Sequence, residues 1–75
     1  MNNQFVLRQA QLFADRLQKE AGGDVAKQID LAYRLALTRP PSAKELSLAT
    51  DMIGSGSLVD FTDVMLNLSE FLYTR

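Results

Sequence analysis

Cysteine, histidine and tryptophan are all absent from this 75-residue sequence. Without thiols no disulfide can staple the chain. With imidazoles gone as well, the ligands that build most tetrahedral zinc sites are missing, so no metal site is expected. Nucleophilic catalysis is reduced to a serine paired with a lysine. Lys19, Lys27 and Lys44 fall on the polar faces of their segments, where no burial turns an amine into a base. Haem would need an axial His or Met, and covalent attachment would need Cys and His. Met52 and Met65 therefore read as core filler. The expectation is no cofactor and no catalytic residue within this chain.

An excess of charge of either sign is missing too. Eight Lys and Arg stand against nine Asp and Glu, for a net charge of −1, and the pI is near 5.1. Such a balance does not recruit phosphate backbones, so no nucleic-acid partner is expected. A helix-turn-helix over Arg39–Ile53 would offer only Lys44 as a cation on its second helix. No apolar run approaches the ~18 residues of a membrane span, so no membrane insertion is expected. The N-terminus also lacks the basic-then-apolar layout of a signal peptide.

Helix breakers are few, with four glycines and two prolines, and they punctuate rather than scatter. Between them the chain is 47% hydrophobic and 23% charged, which is a folding composition. Four segments carry helical periodicity and none carries strand alternation. The first runs over about 3–21. Val6, Ala10, Phe13 and Leu17 share one face, Phe5 and Leu12 flank it, and Gly22-Gly23 ends it. Asp24 caps the second, about 24–38. Ile29, Leu31, Ala32, Tyr33, Leu35 and Ala36 cover most of its circumference, leaving Asp30 and Arg34 as an i,i+4 acid–base pair. A helix so widely apolar belongs at the centre. Arg39-Pro40-Pro41 breaks the chain. Ser42 and Glu45 then open the third helix, about 42–54, as a capping box, with Leu46, Ala49 and Ile53 inward. Gly54-Ser55-Gly56-Ser57 reads as a loop. The fourth helix, about 58–73 and capped by Ser57 or Asp60, should bury Phe61, Val64, Met65, Leu68, Phe71 and Leu72. The core is expected to contain Phe13, Leu17, Ile29, Ala32, Ala36, Leu46, Ile53, Phe61, Leu68 and Phe71.

The fold class expected is all-α, a small four-helix bundle or helical orthogonal array in one module over 1–75. Few of its residues form a pattern that a site would need. Asp60 and Asp63 form an acid pair three residues apart, but acids in a first helical turn complement the helix dipole. They also lack the dense ligand loop of a calcium site. Gly54–Ser57 precedes a helix as a phosphate loop would, yet Leu58-Val59 stand where Lys then Ser/Thr belong. Gly56-Ser57-Leu58 resembles the modified serine of carrier proteins, but only one helix follows it. What remains is surplus apolar surface. Leu31 and Leu35 lie on a helix broader in apolar character than three short neighbours cover. Leu66 and Tyr73 sit one heptad apart, off the fourth helix's stripe. These four are the candidate interaction surface.

Three stretches carry a resemblance. They are Met1–Val6 followed by Ala10 and Phe13-Ala14-Asp15-Arg16-Leu17; Ala32–Ser42 with Glu45-Leu46 after it; and Leu66-Asn67-Leu68-Ser69-Glu70-Phe71-Leu72-Tyr73. In this order they resemble the C-terminal end of a large domain of unknown function, family 1553, found in planctomycete secreted proteins. There it commonly accompanies a second unknown domain and a cytochrome-c-like domain. Thr38 departs from the family's usual Gly before Arg-Pro-Pro, and Leu68-Ser69 replace a more polar pair. The resemblance implies an extracytoplasmic setting and brings no catalytic residues with it. The chain then reads as a fragment of a larger domain: a structural or protein-interaction helical subdomain. Its partner would be the rest of the parent protein or a second copy of the chain, as a homodimer. The alternative is a scaffold segment of an enzyme whose active site lies mostly upstream, with Arg39 or Glu70 lining a shared cleft.

Overall fold

The computed structural model describes residues 4–73, with side chains described as far as Ser69. Four helices occupy them: α1 (Gln4–Ala21), α2 (Val25–Leu37), α3 (Ala43–Ser55) and α4 (Leu58–Tyr73). No strand occurs among the described residues, so the all-α expectation holds. Every boundary falls within one residue of the expected one. The radius of gyration is 11.5 Å, close to the ~11 Å of a compact chain of this length.

The ends form as the local chemistry requires. Gly22 takes φ 69° after α1, a left-handed turn that glycine makes without steric cost. Its carbonyl accepts the Gln28 side-chain amide at 2.5 Å, which satisfies a polar side chain that is itself buried. Asp24 caps α2 by accepting from the Lys27 N–H at 3.2 Å. Ser42 and Glu45 form a complete capping box at α3. Ser57 and Asp60 repeat that reciprocal pattern at α4: the Ser57 N–H donates to Asp60 Oδ2 at 3.1 Å, and the Asp60 N–H to Ser57 Oγ at 3.2 Å. The loop expected over Gly54–Ser57 is shorter than its composition suggests. Helix α3 runs on to Ser55, whose hydroxyl donates back to the Asp51 carbonyl at 2.9 Å. Gly56 then makes the close turn. A Cβ there would lie 2.5 Å from Asp60 Oδ2 and 3.1 Å from the Met52 carbonyl.

Helices α2 and α4 each touch all the others, whereas α1 and α3 make no contact with each other among the described residues, and α2 is the more buried of the two. It buries Gln28, Ile29, Ala32, Tyr33 and Leu37, the largest buried set of any helix among the described side chains. Leu17, Ile29 and Met65 are the largest fully enclosed apolar side chains. Of the expected core, Leu17, Ile29, Ala32 and Phe61 are buried. Phe13, Ala36, Leu46 and Ile53 pack against it half-buried. Phe71 lies outside the described side chains.

Leu68 is a correction: it is 41% exposed, and Val64, one turn earlier, is 38% exposed. The reason is a rotation of α4 about its axis. Its buried arc is Phe61, Thr62 and Met65, flanked by half-buried Leu58, Val59 and Leu66. That arc is centred towards Thr62 rather than towards Val64 and Leu68. Thr62 is fully enclosed, and its hydroxyl reaches the Ala10 carbonyl at 2.7 Å and the Val59 carbonyl at 3.0 Å. A threonine that answers its own hydrogen-bonding need can occupy the centre of a core face. On α1, buried Ala10 and Ala14 present no bulk to hold α4 away. Helix α4 therefore lies chiefly along α1, and its other flank turns outward.

Candidate functional site: a clasped turn beside an open apolar cleft

The turn between α2 and α3 is held by a dense set of hydrogen bonds. Its route starts at Thr38, which adopts φ 58° and directs the chain out of α2. Pro40 and Pro41 then carry it, donor-free, to the Ser42 cap. Arg39 spans the turn. Its Nη1 and Nη2 donate to Glu45 Oε1 and Oε2, each at 2.8 Å, and Nη1 also reaches the Pro40 carbonyl at 3.1 Å. The Ser42 N–H adds a bond to Glu45 Oε1 at 2.9 Å, and the Glu45 N–H returns one to Ser42 Oγ at 3.1 Å. The parallel fork is the strong geometry for a guanidinium and a carboxylate. These bonds, from Arg39 first and then from the Ser42 backbone, hold the Glu45 carboxyl down to about 2.

The guanidinium also lies over the Tyr33 ring, 5.5 Å from its centroid. Tyr33 is buried and leans against Phe61 at 6.4 Å between ring centres. Burial raises the Tyr33 hydroxyl pKa, as does the neighbouring Glu45 charge, while Arg39 opposes them. Tyr33, Arg39, Ser42 and Glu45 thus form one cluster joining three successive pieces of the sequence. Every charge in it is already spent on another member. It closes the turn between α2 and α3.

Next to the clasp an apolar cleft opens between α3 and α4. Tyr33, Ala49, Met52, Phe61 and Met65 form its inner wall, with Leu48, Val64 and Glu45 at its edges. Its volume is about 180 Å³, below the ~300–1,000 Å³ of pockets that enclose small-molecule ligands or cofactors. It is the size of one or two apolar side chains. Leu48 is 58% exposed at its rim. Val64 and Leu68, four apart on α4, continue the apolar strip along the flank that the rotation of α4 turns outward.

The four residues expected from sequence as an interaction surface are placed separately. Leu35 is 38% exposed. Leu31, one turn earlier, is half-buried against the core. Leu66 is half-buried on the inner flank of α4, and Tyr73 lies outside the described side chains. Sequence reasoning did not single out Leu48, although it falls off the Leu46–Ala49–Ile53 face and could have been found from that. Phe5 and Leu12, one heptad apart on α1, are 70% and 50% exposed, the former being the most exposed large apolar side chain among the described residues. Asp60 and Asp63 do not act together: Asp60 is engaged by Ser57, and Asp63 keeps a buried Oδ1 without a partner. No group of three or more acids able to hold a metal occurs among the described residues.

Fold and site together define a small all-α helical module with a clasped interhelical turn and an apolar flank. Residues 1–53 match the family described as a protein of unknown function, DUF1553. That is well over half the chain, and the protein belongs to this family. The match ends inside α3, yet α4 supplies Phe61 and Met65 to the same core. No curated protein and no solved structure matches the chain.

Proposed function

We propose that this chain is a structural, protein-binding helical subdomain of a larger extracytoplasmic protein, and that it carries no chemistry of its own. The observation that supports the reading most is the apolar strip along α3 and α4. Leu48, Val64 and Leu68 stand in water beside a cleft already walled by Tyr33, Met52, Phe61 and Met65. Contiguous apolar surface of this kind is usually a contact site. The polar cluster beside it points the same way, since Arg39 and Glu45 satisfy one another. An enzyme-scaffold role with Arg39 lining a shared cleft would first have to break that fork. The natural occupant of the strip is another part of the parent protein, and a second copy of the chain replaces it when the module stands alone. The extracytoplasmic setting, the planctomycete source and the company of a cytochrome-c-like domain rest on the sequence resemblance. Among the described residues no helix is long and apolar enough to cross a membrane.

Sedimentation velocity of the isolated chain across a micromolar concentration series tests this. Self-association is expected, and Leu48→Lys with Leu68→Lys should abolish it while leaving the helical circular dichroism unchanged and removing any dependence of the melting temperature on protein concentration. A wild-type chain that stays monomeric up to high micromolar concentration would overturn the reading of the strip.

A further inference from the structure

We draw no further inference here: the strongest candidate, the open apolar cleft between α3 and α4 rimmed by Leu48 and Val64, belongs to the surface already described, and nothing in the structure shows what covers it.

Discussion

Thr38 turns the chain out of α2 with φ 58°, in a region where an L-residue's Cβ crowds the carbonyl and β-branched side chains are rarest. The occupancy costs about 1–2 kcal/mol. Glycine would remove that cost, but it frees the unfolded chain by about 0.4–1 kcal/mol. The Thr38 hydroxyl bonds only to the adjacent Leu37 carbonyl, at 2.6 Å, and that contact can be remade by water at this exposed position. Thr38→Gly should therefore stabilise the fold by a net amount of about 0.5–1 kcal/mol, worth roughly 2–8 °C in melting temperature for a domain of this size. Thr38→Ala is the control, because it removes the branch and the hydroxyl yet keeps the Cβ. It should gain less than glycine, and Thr38→Asn should fall between them. Urea titrations followed at 222 nm give the three differences, provided the slope with denaturant is unchanged. A glycine variant that melts below the alanine variant would refute the reasoning. The backbone at residue 38 would then not be held left-handed in solution.

Ile29→Ala should cost about 2–4 kcal/mol, from lost burial and the cavity left behind. That is a large share of the roughly 4–11 kcal/mol that a domain of this length commands, and an unchanged urea midpoint would mean α2 is not central. Thr62→Val keeps the shape and deletes the buried bond to Ala10, so a loss of about 1 kcal/mol is expected in the same titration; a neutral or stabilising change would count against the bond. Glu45→Gln should melt below wild type at neutral pH. Because the folded Glu45 carboxyl is lowered to about 2 from an ordinary 4.5, the wild-type advantage is complete above the unfolded value and shrinks as pH falls from there towards 2. Melting curves of both proteins through that range should converge, and a constant gap would show that the clasp does not depend on the charge. Gly56→Ala should destabilise, since the new Cβ meets Asp60 and the Met52 carbonyl; a melting temperature equal to wild type would show that the α3–α4 turn relaxes without loss.

The elements were legible in the sequence because their signals are local. Gly22, Asp24 and the Ser42–Glu45 box each act on backbone groups within a few residues, so they set helix ends before any tertiary contact forms; at α4 the sequence leaves Ser57 or Asp60 as the cap, and the structure uses both, reciprocally. The breadth of apolar positions on α2 likewise announced its central place. The clasp was legible only in part. Ser42 and Glu45 could be paired by spacing, but nothing local brings Arg39 to Glu45 or over Tyr33, because that needs the chain to reverse at Thr38. The rotation of α4 was decided by tertiary structure alone. Sequence periodicity weighs threonine as polar, so it puts Thr62 outside the stripe and Val64 and Leu68 within it. Its hydroxyl becomes a core group only once the Ala10 carbonyl lies 2.7 Å away, and the two alanines on α1 bring the backbones that near. The exposed strip on α3 and α4 follows from that rotation, which is why it could not be read from the residues that form it.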